Sequence, residues 1–346
     1  MQFQHTSFNR RGFAAFLTLV MLTAGQAQTA ITSIATSNSK LANSTSNGRV
    51  FENSTLAVSS FTTSSATYNV AGNAISAAVR RNNVTSNNSS AWYAQGTPNT
   101  ESASSYSTDY ASLLLGNNLL RGSDNTFANG ATVSDGNIER LDFILSNSGI
   151  TATAGMAFAI FDRGAVNAHD AVQIALITSL GTITVNSVTY TNAPTNYGGN
   201  LVSVTSTNYG ANVVGDFSYN LMRYNTGDNL SSWSSIENGG PQGIGGTVVN
   251  LTDFNVAPGS VIYGYSLFAG DVTVGANMAT LADWSTAARY PTATSGSGAG
   301  GIDLAAVNGV QFQKLPVPES STYGLILIGA TLCFVGFRRR QNRLAA

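Results

Sequence analysis

The chain has very little of the side-chain chemistry on which most enzymes depend. Its only cysteine, Cys333, lies in an apolar run near the C-terminus, so the rest of the chain has no disulfide, no thiolate nucleophile and no cysteine-ligated zinc. Of the two histidines, His5 lies in a segment that we expect to be removed. A multi-histidine metal site is therefore excluded, and any Ser-His-Asp triad would have to use His169.

The neighbourhood of His169 does not favour catalysis. Asp170 follows it directly, but adjacent residues of a strand point to opposite faces, which makes Asp170 a poor orienting group. The sequence also lacks a G-x-S-x-G elbow. We interpret His169 as a loop histidine that hydrogen-bonds to the backbone, and not as a catalytic base.

Charged residues are scarce as well, at 10% of the chain where soluble domains average about 25%. Without the two N-terminal arginines, the four C-terminal arginines and Glu319, ten basic and sixteen acidic side chains remain, a net charge of about −6. The body has no basic stripe, so we expect no nucleic-acid partner. Its polarity comes from Ser, Thr, Asn and Gly, which predicts a surface hydrated by hydroxyls and amides.

Paired carboxylates are the remaining candidates for catalysis, because glycan hydrolysis needs two acids that face each other at about 5–10 Å. Glu139 and Asp142 are separated by an odd number of residues, so on one strand they point to opposite faces. Neighbouring arginines explain these two acids, and also Asp162 with Asp170, better as ordinary ion pairs. The tryptophans are isolated in the sequence and indicate no sugar-binding cluster. We predict that the protein is not an enzyme and uses no cofactor.

Calcium is the most reasonable metal for this composition. Asp124, Asp135 and Glu139 lie in a stretch rich in Asp, Asn and Gly, and they offer the oxygen donors that hard cations prefer. The stretch does not match the twelve-residue EF-hand loop, and clusters of this kind are usually plain turns. These three residues are weak calcium candidates beside the alternative of an ordinary turn.

Short runs with a two-residue period recur from Tyr110 onward and predict β-strands, because they are bounded by Gly, Asn, Asp and Pro. The clearest runs are 141–146, 156–161, 172–176, 183–188 and 261–268. Many short strands without βαβ alternation predict an all-β fold, as a sandwich or a jelly roll. A β-solenoid is less favoured, because no repeat of fixed period is present.

Helix signals are few. The segment 171–180 fits an Asp-capped helix or a strand, and 118–123 and 283–289 are each predicted to hold a helical turn at most. Gly239–Gly246 lacks the Lys-Ser/Thr pair of a phosphate loop and is predicted to be a flexible loop.

Composition divides the chain into four parts. Residues 1–27 have Arg10 and Arg11, an apolar stretch from 12 to 22 and small residues before Gln28, which together predict a secretory signal peptide. Residues 28–109 are rich in Ser, Thr and Asn and are predicted to be weak strands or an extended lead-in, with their folding together with the rest left open. Residues 110–315 are predicted to form the β-sandwich domain, and residues 316–346 a separate tail.

The tail has three parts in a fixed order. Val317, Pro318, Glu319 and Ser320 begin a short polar motif that extends to residue 323. An uncharged apolar run, 323–337, follows and would form a helix of roughly 22 Å, short of the ~30 Å hydrocarbon core of a bilayer. Arg338, Arg339 and Arg340 open a basic stop, 338–343, which the positive-inside bias would keep in the cytoplasm.

This arrangement resembles the PEP-CTERM tail of bacterial proteins that exosortases process. The family motif usually has a second proline where this chain has Ser320, which bears on the efficiency of processing. The resemblance covers about a tenth of the chain and implies an exosortase-type processing enzyme as a partner, a transient stage in the inner membrane, and release to the cell surface or the extracellular polysaccharide. The alternative for the tail is an ordinary membrane anchor, which usually needs about 20 apolar residues.

Three segments of the body, 137–143, 157–164 and 262–268, resemble a domain of large secreted bacterial surface proteins to which no activity is attached. Together the features predict an exported, non-catalytic cell-surface or matrix protein that is sorted by its tail and associates with exopolysaccharide. The alternative is a secreted module that binds or hydrolyses carbohydrate, and it requires either a row of exposed aromatic side chains or a cleft with two facing acids.

Overall fold

Strands dominate the part of the chain that the computed structural model describes, which comprises residues 28–39, 44–46, 49–51, 55–82, 89–96, 110–129, 138–224, 235–296 and 298–316. Strand accounts for 58% of these residues and helix for 6%. The predicted all-β class is therefore confirmed, in agreement with the abundance of β-branched and aromatic residues in the alternating runs.

Seven strands precede residue 110. They are β1 (Thr29–Ser39), β2 (Ser44–Ser46), β3 (Arg49–Phe51), β4 (Thr55–Thr63), β5 (Thr67–Asn73), β6 (Ser76–Arg81) and β7 (Ser89–Ala94). A short helix, α1 (Tyr110–Leu114), follows. The next strands are β8 (Asn118–Ser123), β9 (Ile138–Ile144), β10 (Ile150–Thr151), β11 (Met156–Gly164), β12 (Val172–Val185) and β13 (Val188–Val204).

The last third of the body contains two 3-10 turns and the remaining strands. The 3-10 turns are Ser206–Asn208 and Met278–Ala282. The strands are β14 (Val214–Tyr224), β15 (Ser235–Asn250), β16 (Val261–Ile262), β17 (Gly264–Ala269), β18 (Ala305–Ala306) and β19 (Val310–Lys314).

Ten strands form a large sheet in the order β1-β4-β5-β19-β11-β15-β14-β7-β8-β18. The sheet curls back on itself, because β1 also pairs with β15, and β4 also pairs with β8. Register shifts in the β1–β4 pair at Ile31 and Ala35 mark the irregularities that accompany such bending. The curled sheet encloses a small apolar core that includes Phe61, Phe161 and Phe312.

A second sheet of five antiparallel strands has the order β13-β12-β17-β9-β6 and lies over one face of β11. Side chains of the two sheets meet there: the rings of Phe158 and Tyr265 have their centroids 4.9 Å apart, and Tyr265 also contacts Phe143 at 5.1 Å. Two sheets that share one apolar core form a sandwich-like arrangement. This main core buries the alternate residues that the two-residue period had predicted on β9, β11, β12 and β17.

Five of the seven described strands before residue 109 belong to the two sheets, and β2 and β3 form a two-stranded sheet of their own. β1, β4, β5 and β7 lie in the large sheet, and β6 pairs with β9 in the small one. The first described strand, β1, pairs with β15 from the far end of the body at Thr29 and Val248. The question that the sequence left open is thus answered for the five strands of the two sheets, which fold together with the rest of the body.

The prediction of a flexible loop at Gly239–Gly246 is wrong, because this segment lies within β15. The missing side chains make room for neighbours that pack flat on the backbone. A Cβ atom on Gly239 would lie 1.9 Å from the ring of Tyr219, and one on Gly245 would lie 2.4 Å from Nε2 of His169. Glycine was read as a loop signal, whereas here it admits large side chains close to a strand.

One of the helical predictions is also wrong, because the segment 118–123 is β8. The segment 283–289 contains turns, and in the last of them the N–H of Tyr290 donates to the carbonyl of Thr286 at 2.9 Å. The ambiguous segment 171–180 lies almost entirely in β12, as its β-branched residues favour. Among the described residues, no helix has the length and apolar character needed to cross a membrane. The predicted signal peptide and the predicted helix at 323–337 both lie outside the described residues.

Candidate functional site

The predicted site residues divide between the described part and the rest of the chain. Val317, Pro318, Glu319 and Ser320 of the tail motif, the basic stop Arg338, Arg339 and Arg340, and the calcium candidate Asp135 lie outside the described residues. Asp124 and Glu139 lie inside, in two separate buried networks of polar side chains. Asp162, Asp170 and His169 lie beside the first network, and Asp142 has arginine partners of its own.

Asp124 belongs to the first network, which is centred on Arg163 at the end of β11. Arg163 Nη2 donates a hydrogen bond of 2.8 Å to Asp124 Oδ1 and another to Asp303. The guanidinium lies over the ring of Tyr219, 3.3 Å from its centroid, and 5.0 Å from that of Trp92. Arginine therefore neutralises Asp124, which leaves this carboxylate poorly suited to a cation.

The charges of the Arg163 network are strongly coupled. Burial opposes the charge of Arg163, but Asp303 and Asp124 outweigh it and raise the pKa of the guanidinium. Burial raises the pKa of Asp303 well above its usual value, and the adjacent Asp124 adds to that effect against the attraction of Arg163. One guanidinium thus serves two carboxylates.

His169 lies beside this network with both ring nitrogens occupied. Nδ1 is 3.2 Å from Asp162 Oδ2, and Nε2 is 2.9 Å from Asn212 Oδ1. The amide of Asn212 is oriented by its own hydrogen bond to the carbonyl of Gly164, at 3.1 Å, so its oxygen faces the imidazole. Two acceptors favour the doubly protonated ring. Burial opposes the charge, but the bond to Asp162 and its charge, together with Asn212 and Asp170, outweigh burial and raise the pKa of His169.

The partners of His169 differ from the prediction of a histidine bonded to the backbone. The residue does lie in a loop, but it contacts the side chains of Asp162 and Asn212. As expected from its position, Asp170 does not orient the imidazole; its backbone N–H instead donates to Asp162 Oδ2 at 2.8 Å. Asp162 also accepts a bond from the backbone of Asp303, so this carboxylate fixes three segments at once.

The acid pair Asp162 and Asp170 is brought together in space. Burial and, after it, the charge of Asp162 raise the pKa of Asp170 to about 6, against a bond from the backbone of Gly298 and the charge of His169. Asp162 is fully buried, and its oxygens accept bonds from two backbone N–H groups and face His169. A carboxylate enclosed in this way has no free face for a substrate.

Glu139 lies in the second buried region without an arginine partner in the described structure. Its carboxylate accepts hydrogen bonds from the amides of Asn129, at 3.0 Å, and Asn82. Burial raises the pKa of Glu139 to about 8, and Asp271 adds to this effect, against the two amide bonds. The expected ion pair of Glu139 with Arg140 is therefore absent from the described contacts.

Asp142, by contrast, forms the predicted ion pair. Arg140 Nε lies 2.7 Å from Asp142, Arg80 Nε lies 2.8 Å from it, and Ser266 Oγ donates to it at 2.7 Å. Burial would raise the pKa of Asp142, but the two arginines outweigh it and lower the pKa. The ring of Trp284 covers the ion pair, with its centroid 4.7 Å from the guanidinium carbon of Arg140. Glu139 and Asp142 thus have separate partners, as expected for opposite faces of β9.

Aromatic side chains, which could bind sugars by stacking, are directed inward. Of the aromatic residues whose burial the structure describes, none is exposed. Tyr110, Tyr197 and Tyr209 are buried, Tyr190 is half-buried against Trp284, and Trp233 lies outside the described residues. The described surface therefore lacks the aromatic row that a stacking carbohydrate site requires.

Within the described residues, no group of three or more His, Cys, Asp and Glu side chains is placed to hold a metal ion. Comparison with known proteins adds no assignment, since no family model, no curated protein and no solved structure matches the chain.

Proposed function

We propose that the chain is an exported, non-catalytic protein of the cell surface or extracellular matrix, delivered there by exosortase-type processing of its tail. The carrying observation is the order of the tail sequence: the Val317–Ser320 motif, an uncharged run too short for an ordinary span, and an arginine cluster. The signal peptide predicted at residues 1–27 fits export of the chain. The predicted path leads through the inner membrane to the surface, where exopolysaccharide is the partner.

The chemistry of the body supports a binding or space-filling role. The described acids and bases with the strongest interactions are engaged with one another: Arg163 with Asp124, Arg140 with Asp142, and His169 with Asp162. Groups bound and buried in this way stabilise a fold and are poor participants in proton transfer. The hydrolytic alternative is less well supported, because Glu139, Asp142 and Asp162 are buried and hydrogen-bonded within the fold.

Surface retention tests this proposal. Deletion of residues 317–346 should abolish retention at the cell surface, because the tail carries the sorting signal. Glu139→Gln, which replaces a buried carboxyl group by an amide of nearly the same shape, should leave retention intact and serves as the matched control. Immunoblots of surface, inner-membrane and medium fractions measure both variants.

Catalysis would overturn the proposal. If the purified protein hydrolysed a matrix glycan, and if Glu139→Gln, Asp162→Asn or His169→Ala abolished that hydrolysis, the protein would be an enzyme. If the protein is still retained at the surface without residues 317–346, the tail is not the sorting signal.

A further inference from the structure

A polar groove lies on the side of the small sheet where β13 forms its edge among the described strands. The groove has a volume of about 560 Å³, within the range of about 300–1,000 Å³ that is usual for ligand sites. One wall is the 199–203 segment of β13 with the turn at Asp253, and the other is the loop 274–278. Gln28 also lines the groove.

The first wall is held in place by backbone contacts. Asn200 donates its backbone N–H to the carbonyl of Phe254 at 2.8 Å. Gly199, with φ +64°, approaches the same carbonyl so closely that a Cβ atom there would lie 1.5 Å from the oxygen. Asp253 closes the turn by accepting a bond of 2.7 Å from the N–H of Asn250. The turn and the edge strand are thus fixed to each other.

The second wall is also ordered without a ligand. The hydroxyl of Thr280 accepts a bond from the N–H of Gly275, at 2.9 Å, and donates to the carbonyl of Asn277, at 2.6 Å. The side chain of Asn277 accepts a bond from the N–H of Ala279 at 3.1 Å. Because the loop is already folded, a ligand would not have to bear the entropy of ordering it.

The lining indicates the class of ligand. It offers amides from Gln28, Asn200 and Asn277, a hydroxyl from Ser203 and one carboxylate from Asp253. None of the described residues in the lining is basic, which disfavours anionic ligands, and none is aromatic. Amides and hydroxyls that donate and accept hydrogen bonds side by side complement the hydroxyl groups of an uncharged sugar.

An added β-strand is the competing ligand, because an edge strand presents free backbone groups. The geometry disfavours it. Gly199 departs from the extended conformation with its positive φ, and the loop 274–278 stands opposite the edge. A pairing strand would need an extended, uncovered edge over several residues.

We infer that this groove binds a short stretch of neutral polysaccharide through hydrogen bonds, with β13 and the loop 274–278 as its two walls. The inference rests on the proposed function for its biological setting, since that proposal places the body next to exopolysaccharide. Without aromatic stacking each site binds weakly, with a Kd of about 0.1–1 mM, and retention of the protein in the matrix depends on many copies.

The test uses the full-length chain in detergent and neutral hexasaccharides of glucose, galactose and mannose, with binding measured by saturation-transfer NMR. Ser203 and Thr189 are both exposed residues of β13, but only Ser203 lines the groove. Ser203→Trp should weaken binding at least tenfold, and Thr189→Trp should bind as the wild type does. Asn200→Ala, which removes one amide without filling the groove, should weaken binding by a smaller factor.

The outcomes separate the groove from the proposed function. The inference that the groove binds neutral sugar is overturned if none of the three sugars binds at about 10 mM, or if Ser203→Trp binds them as tightly as the wild type does. Preferential binding of an acidic oligogalacturonate or of an extended peptide, lost in Ser203→Trp, overturns its assigned chemistry. If the protein binds the neutral sugar but stays in the inner membrane, the sugar-binding inference holds and the proposed function is contradicted.

Discussion

Glu139 is buried against two neutral amides, whereas Asp142 is buried against two arginines. The difference decides their charge: the arginines lower the pKa of Asp142, and burial raises the pKa of Glu139 to about 8. A carboxyl group that is neutral in the folded protein and ionised in the unfolded chain makes stability depend on pH.

The sign of this dependence follows from the direction of the shift. Below the unfolded value of 4.5 the Glu139 carboxyl is protonated in both states, so it contributes no pH dependence. Between 4.5 and about 8 the unfolded chain releases its proton while the folded protein retains it, so the free energy of unfolding falls as pH rises.

Glu139→Gln should therefore match the wild type in stability near pH 4.5 and exceed it near pH 8 by a few kcal/mol, on the order of the pKa difference. His169 has a raised pKa in both proteins and cancels from the comparison. Urea unfolding of both proteins at several pH values measures the effect. A difference that does not change with pH would show that Glu139 is ionised in the folded state.

At the residue scale the sequence predicted the ion pair of Arg140 with Asp142, because those two residues are close in the chain. It did not predict the partners of His169 and Glu139. Asn212 is 43 residues from His169, and Asn82 is 57 residues from Glu139. Contacts across such separations depend on the pairing of the strands, and a single sequence does not encode them in a local pattern.

At the element scale, β15 shows where pattern and structure diverge. Alternation predicted β9, β11, β12 and β17 because their apolar residues face the main core. β15 contains a run of glycines and shows no such alternation. Its glycines let the rings of Tyr219 and His169 lie against the strand backbone. β8 has a different cause, because its residues show no two-residue alternation and fit a helical turn equally well.

Two glycines of β15 form a matched pair for testing this explanation. A Cβ atom on Gly245 would lie 2.4 Å from Nε2 of His169, whereas one on Gly240 would have no atom within 4 Å. Gly245→Ala should destabilise the protein by about 1–3 kcal/mol, because it displaces the imidazole from Asp162 and Asn212. Gly240→Ala should be neutral or stabilising by up to about 1 kcal/mol.

Chemical denaturation followed by tryptophan fluorescence measures both variants, since Trp92 and Trp284 are buried. Equal stability of the two variants would contradict the explanation that glycine is required at Gly245 for packing.

At the scale of the whole molecule, the described charges that are buried are paired or hydrogen-bonded inside the fold, as in Arg140 with Asp142 and Arg163 with Asp124. The networks around Arg163 and Arg140 connect strands to the loops 281–303 that cover them, so they fix the fold where apolar contacts alone would not specify it. The surface that remains is nearly neutral in character and suits contact with an uncharged matrix.

The claim that the tail is a processing signal is tested most directly by the intact mass of the native protein from cells that contain an exosortase. We predict a protein that ends within the region Val317–Ser321, lacks Phe337 and the arginines, and is found outside the inner membrane. A mass that includes residues up to Ala346, in a protein that fractionates with the inner membrane, would contradict this claim and identify the tail as a simple anchor.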